Sequence, residues 1–406
     1  MSDENLRRRI YSVDLLRGIV MMIMLLDHTR EFVHAGAMQS DPTDPGTTTV
    51  AVFFTRWITH FCAPAFVFLS GVSIYLQKMN GKTNAELSRF LWTRGLWLIL
   101  LEFTLIRFLT VFNLDYSFAG LAQVIWVIGF SMIVMAALIY LPIRVVGIAG
   151  LVMIVLHNLL DGIGVPPQIA FAGTPPPDLL QSIWIILHQP GVIRFFGGSS
   201  QVFVAYPLIP WIGVMAAGYS FGSIYNWESR KRQNLLLTLG LLVTALFVII
   251  RLINVYGDPV PWSVQANQAH TFLSYLNTTK YPPSLLFLLM TLGPVVLVLG
   301  LTDRIDGMAI WERVCITFGR VPMFFYILQW MTAHSFGILL NYFAGVNVSY
   351  LFLPLLDMGQ AAPPGHGFPL WVVYAAWIAG LVVLYPLCVW WGKLKRDNKH
   401  WALSYL

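Results

Sequence analysis

The chain has 406 residues, of which 57% are hydrophobic and 11% charged, with a mean hydropathy of +0.69. Soluble domains carry about 25% charged residues, so this composition excludes an ordinary soluble globular protein and points to a polytopic membrane protein. The net charge of +6 is no sign of a nucleic-acid partner, because the basic residues are not gathered with aromatic side chains on one face.

Apolar stretches of about 20 residues fall at 13–34, 51–77, 90–112, 121–141, 145–160, 203–225, 234–256, 282–301, 315–338 and 369–391. They predict an all-α fold: a transmembrane helix bundle of about ten spans with no soluble domain, residues 1–406 forming one domain. The leader MSDENLRRRI precedes an apolar run with no small-residue cleavage site, so the first span is expected to be retained. Basic residues alternate between sides. Arg7, Arg8 and Arg9 share a side with Lys78, Lys82 and Arg89, with Arg144, with Arg230, Lys231 and Arg232, with Arg304 and Arg313, and with the tail Lys393, Lys395, Arg396 and Lys399. Both termini are therefore expected in the cytoplasm. The long connections on the other side are rich in Pro, Gly and Thr, which suit turns. Within one of them DLLQSIWIILHQ (178–189) has helical spacing but is too short to span.

The first span is polar at both ends. Asp14, Arg17 and His28 lie within about 60° on one helical face, and Asp27, Arg30, Glu31 and His34 follow. Ionisable groups in a span are costly and mark functional sites. Span two brings Arg56 and His60 onto one face, before Pro64 interrupts the backbone ladder. Span three holds Arg94, Glu102 and Arg107, span five ends with His157, Asn158 and Asp161, and Asn277 to Lys280 form a donor cluster before span eight. Asp14 with Arg17, and Glu102 with Arg107, are natural pairing partners. His157, His188 and His334, taken singly, read as structural histidines. No metal is expected: the three cysteines, Cys62, Cys315 and Cys388, show no ligand spacing.

SVDLLRG (12–18) followed by a Met-rich span ending in Asp27-His28 resembles the opening of integral-membrane acyltransferases. RWITHFCAPAFVFLSG (56–71), WTRGLWLILLE (92–102), YPLIPWIGVMAAGY (206–219), LNTTKYPPSLLFLLMTLGP (276–294) and FGRVPMFFYILQ (318–329) extend the likeness over most of the chain. The closer resemblance is to the bacterial branch of the heparan-α-glucosaminide N-acetyltransferase catalytic-domain family. That resemblance implies ten or eleven helices and transfer of acetyl from acetyl-CoA, as co-substrate, to a sugar across the membrane. It also implies a homodimer, although the glycine-rich face from Gly213 to Gly222 fits internal packing as well. In the lysosomal enzyme an asparagine stands where this chain has His28, and the active histidine lies in a Phe-Lys-His-Ala string matched here by Phe32-Val33-His34-Ala35. The spacing is about five residues shorter here, so His28 and His34 both remain candidates. No counterpart of that enzyme's luminal domain is expected here.

Acetyl transfer needs a base, donors for a developing oxyanion and a cradle for the CoA phosphates. His28 or His34 suits the base, with Asp27 or Glu31 fixing the ring. Arg56, Trp57, His60, Asn158, Asn277 and Lys280 are the candidates for holding an amino-sugar or glycan acceptor, and Arg17, Arg94 and Arg320 for the CoA phosphates. Membrane lipid is the other expected partner. The rival class is a proton-coupled transporter or flippase, which also places charges at mid-membrane; no inverted repeat supports it.

Overall fold

The computed structural model describes residues 10–37, 39–171, 175–305, 307–398, 400, 403 and 405; the basic residues Arg7, Arg8, Arg9 and Lys399 lie outside them. The first half of the chain forms helices α1 (Tyr11–Val33), α2 (Val50–Trp57), α3 (Cys62–Met79), α4 (Asn84–Leu101), α5 (Arg107–Val111), α6 (Val124–Leu138), α7 (Ile143–Leu156), α8 (Pro167–Ala170) and α9 (Leu179–Leu187). The second half forms α10 (Leu208–Phe221), α11 (Ser229–Ile253), α12 (Gln268–Leu276), α13 (Leu285–Leu301), α14 (Ile310–Arg320), α15 (Pro322–Phe343), α16 (Leu355–Ala361) and α17 (Leu370–Asp397). Three short strands, β1 (Phe118–Ala122), β2 (Gly191–Phe195) and β3 (Ser200–Val204), make a sheet in the order β1-β3-β2.

The all-α membrane-helical expectation holds. Among the described residues, six helical segments are long and apolar enough to cross a membrane: 50–79, 143–160, 208–226, 229–253, 322–343 and 370–397. Six is fewer than the expected ten. Helix α1 carries Asp14, Arg17, Asp27, Arg30 and Glu31, and α6 and α13 are apolar but shorter. The outward faces of α7, α11 and α17 expose large apolar side chains such as Leu151, Leu241, Ile249 and Val382. Apolar surface of that extent needs a non-aqueous neighbour, which for an integral membrane protein is lipid.

Helix α1 runs through the centre, buried over most of its length against α14, α15, α17 and α3. Its approach to α14 is set by two glycines. A Cβ on Gly18 would stand 1.7 Å from the Cys315 carbonyl oxygen, and one on Gly319 would stand 1.8 Å from that of Asp14. Small residues let the backbones touch where no side chain fits. Gly213, Gly218 and Gly222 do the same inside the fold, against Met153, Phe68 and Tyr75, so the glycine-rich face of α10 is internal packing.

Local chemistry sets the ends. Thr83 with Glu86, and Asp178 with Gln181, form reciprocal caps that start α4 and α9. The stretch read as one span over 315–338 is broken at Val321, whose φ of −128° and ψ of 49° separate α14 from α15. Pro322 supplies the cause, since it lacks an N–H and excludes the helical conformation from the residue before it. Before Pro64 the chain tightens into a 3-10 turn, Ile58–Phe61, that joins α2 to α3. The strands have no counterpart among the expected elements; they lie in the connections and at the span ends 121 and 203.

The anticipated Glu102–Arg107 pair does not form. A π-helical turn, Glu102–Ile106, points Glu102 to the start of α6, where it accepts the Trp126 backbone N–H at 2.9 Å. Arg107 instead donates to the Phe118 carbonyl at 3.1 Å and to Asn113 Oδ1 at 2.9 Å. Asp14 and Arg17 do pair, at 3.2 Å, and Arg17 also donates to Ser73 Oγ at 2.8 Å.

Candidate active site

The last turns of α1 carry Asp27, His28, Arg30 and Glu31. The carboxylate of Asp27 pairs with Arg56 from α2 and, at 3.4 Å, with Arg30 from its own helix. Arg30 also approaches Glu31, at 3.9 Å. Four oppositely charged groups thus neutralise one another where water is scarce, the arrangement that makes buried charge tolerable.

Two imidazoles flank the Asp27–Arg56 pair. His28 follows Asp27 directly; its ring stacks on Trp330 of α15 with centroids 3.6 Å apart. His60 follows Arg56 by four residues and tilts against Phe287, centroids 5.5 Å apart. Both rings are buried, and Nδ1 of each makes no protein hydrogen bond of normal geometry. Gln329 lies beside His28, fully buried, its amide making no hydrogen bond of normal geometry. Buried polar atoms that the protein itself does not pair are met by ordered water or an ion, or serve chemistry.

Above this floor opens a cavity of about 480 Å³, lined among others by Arg30, Glu31, Arg56, His60, Asn277, Lys280 and Tyr281. Its far wall is the turn 277–284, which a second buried pair shapes. Asp258 accepts the Thr279 backbone N–H at 2.8 Å, the Thr279 hydroxyl at 2.9 Å and the Ser284 hydroxyl at 2.6 Å. Arg251, 4.0 Å from Asp258, donates to the backbone carbonyls of Tyr275 and Ser274. Asn277 donates to the Thr43 carbonyl at 2.9 Å, tying the wall to the loop after α1. The Lys280 ammonium lies 5.2 Å from the Tyr281 ring centre. Burial works to raise the Tyr281 phenol, but the Lys280 and Arg56 cations outweigh it and hold the phenol below its ordinary value.

The remaining expected residues are distributed as follows. His34 caps α1 and is roughly 240° around the helix from His28; its Nδ1 accepts the Gly36 N–H at 3.2 Å, and it faces Tyr350 and His366. The structure therefore separates the two candidate bases. Trp57 donates to Met290 Sδ at 3.2 Å and does not line the cavity. Asn158 bonds Asp161 and the Leu285 N–H, each at 2.8 Å, also away from it. Arg17 and Arg320 converge on Asp14 at the opposite end of α1, with Arg320 at 3.9 Å. Arg94 lies over the Phe90 ring instead. A second cleft of about 330 Å³ beside Arg320 also presents Lys395 and Arg396. Sequence reasoning missed Tyr281, Gln329 and Trp330 as site residues. Gln329 is the one with a readable signal, an amide set in the apolar run MFFYILQWM of α15.

A polar cavity walled by buried ion pairs, within a bundle of lipid-facing helices, is the architecture of a membrane protein that works on a polar ligand. The model of the family described as "Heparan-alpha-glucosaminide N-acetyltransferase, catalytic" matches residues 9–251, more than half of the chain, and the chain belongs to that family. Its class is accordingly that of the integral-membrane acetyltransferases. No curated protein matches the chain. The matched region contributes Arg30, Glu31, Arg56 and His60 to the cavity, and the wall from Asn277 to Tyr281 lies beyond it.

Proposed function

We propose that the protein transfers acetyl from acetyl-CoA to an amino-sugar or glycan acceptor held in the cavity at the end of α1, with a buried histidine taking the acceptor's proton. The observation that carries this reading, beyond the family, is the pair of buried rings His28 and His60 on either side of the Asp27–Arg56 pair, His60 lining the cavity and His28 lying outside its lining. The acceptor's nitrogen or oxygen attacks the thioester carbonyl. A C–N or C–O bond forms and the C–S bond breaks. The acceptor's proton passes to imidazole and then to the departing CoA thiolate, leaving the histidine as it began. Arg56 and Lys280 stand ready for the negative charge that develops on the carbonyl oxygen. An acyl-imidazole route would use the same groups.

In this reading the acceptor side is extracytoplasmic and the termini cytoplasmic, as the loop charges imply. The CoA phosphates then meet the basic cleft of Arg320, Lys395 and Arg396, whose two guanidinium groups and one ammonium suit phosphate. The test is purified protein in detergent with acetyl-CoA and glucosamine. Free CoA thiol and N-acetylated sugar in equal amounts are expected. Thiol release that ignores the sugar, or none at all, contradicts the reading. Substrate uptake into liposomes that collapses with the pH gradient and needs no thioester would support a transporter instead.

A further inference from the structure

Outside the cavity, three side chains converge at the end of α7. His157 opens a single 3-10 turn, His157–Leu160, and Asp161 follows it. His188 ends α9, a helix separated from α7 by a long connection. One donor atom from each of the three lies within 4.8 Å of the others. The edge between His188 Nε2 and Asp161 Oδ1 is 3.1 Å.

We propose that His157, Asp161 and His188 bind one divalent metal ion, best matched by Zn²⁺, which staples the end of α7 to the end of α9. Zinc takes His nitrogens at about 2.0–2.1 Å and carboxylate oxygens at about 2.0–2.2 Å in a tetrahedron, whose edges are then roughly 3.3 Å. The Asp161–His188 edge already has about that length, at 3.1 Å, and His157 has to close by up to about 1.5 Å to reach it. Two imidazoles in the set favour zinc over magnesium or calcium, which prefer oxygen.

The independent observation is an unmet need. His157 and His188 are each 2% exposed. Neither ring nitrogen of His157 makes a hydrogen bond of normal geometry, though the Pro283 backbone is close, and Nδ1 of His188 has no partner. A His188–Asp161 hydrogen bond by itself accounts for two members and leaves His157, beside the Pro283 backbone, outside the pair. A metal ion would take one nitrogen from each imidazole together with Oδ1 of Asp161, and so engages all three residues.

The second shell is also in place. Asn158 donates to Asp161 Oδ2 at 2.8 Å, which leaves Oδ1 to face the imidazoles. Asn158 is itself fixed, its Oδ1 accepting the Leu285 N–H at 2.8 Å at the start of α13. Such partners orient metal ligands, and their loss costs roughly 10–100-fold in affinity. Asp161, 22% exposed, leaves a route for the ion and for water at the fourth position.

The experiment uses the full chain in detergent, stripped with a chelator and titrated with Zn²⁺, with Mg²⁺ as control. Metal content by mass spectrometry and the melting temperature are the readouts. About one zinc per chain and a rise in melting temperature with Zn²⁺ only are expected. His157→Asn and His188→Asn should abolish both, Asn158→Ala should weaken binding roughly 10–100-fold, and His270→Asn, far from the cluster in sequence, should change nothing. Zinc that is absent, substoichiometric or unchanged in the His157 and His188 variants overturns the proposal, as does equal stabilisation by Mg²⁺. Should those variants not fold, the metal content of the wild type and of Asp161→Asn decides.

Discussion

Arg56 closes on Asp27 across 29 residues of sequence, and this contact joins α2 to the end of α1 beneath the cavity. It also brings the two histidines that follow these residues, His60 and His28, to one place.

Both side chains are nearly buried, at 13% and 11% exposed. Removing one partner of such a pair strands the other's charge, at a cost of about 3–5 kcal/mol. Arg56→Ala should therefore lower thermal stability more than the Arg56→Ala, Asp27→Ala double variant does. Melting curves of the three proteins check this, and additive losses would argue that the pair is not coupled.

Gly18 is a packing requirement. Its α carbon lies where a Cβ would meet the Cys315 carbonyl oxygen at 1.7 Å, and that oxygen is backbone and unable to swing away. Gly18→Ala should cost more than about 1–3 kcal/mol and be seen as loss of monodisperse protein. An equally stable alanine variant would mean that α1 and α14 stand further apart.

The turn at the cavity's far wall depends on Asp258. Its removal leaves the Thr279 N–H and two hydroxyls without their acceptor, at about 1–3 kcal/mol for each donor left buried and unpaired. Asp258→Ala should lower kcat/KM for the acceptor, because the turn carries both Asn277, which would hold the acceptor, and Lys280, which faces the charge developing on the carbonyl oxygen. Steady-state kinetics over acceptor concentration test this.

Tyr281 gives a pH signature. Burial opposes its ionisation, but the Lys280 and Arg56 cations prevail, so it should titrate below the ordinary phenol value of about 10. An acid whose value is depressed by folding adds stability that is fully present above its unfolded value and fades as pH falls through its folded value. The difference in phenolate absorbance between wild type and Tyr281→Phe should show this early titration, and Lys280→Ala should move it back upward.

The legible parts of the molecule were those governed by local pattern. Apolar length marked the helices, Pro322 accounts for the break at Val321, and Arg56 and His60 were read onto one face from their spacing. What stayed hidden depends on contacts distant in sequence. Trp330 looks like any apolar helix residue until His28 stacks on it. Glu102 and Arg107 are opposite charges in one span, but five residues is not a pairing spacing on a helix, and the start of α6 claims Glu102. His157 and Asp161 were seen as neighbours; His188 joins them only because the connection after α7 folds back. The strands escaped notice because they are short and their pairing is between separate connections.

The central claim is that the proton is handled beside the Asp27–Arg56 pair and not at His34. The most direct measurement is acceptor-dependent CoA thiol release by His28→Ala, His60→Ala and His34→Ala, each shown to be folded. Loss of the general base costs roughly 10²–10⁴-fold. The account predicts that loss in His28→Ala or His60→Ala, with His34→Ala close to wild type. A collapse confined to His34→Ala, with both other variants active, would contradict it.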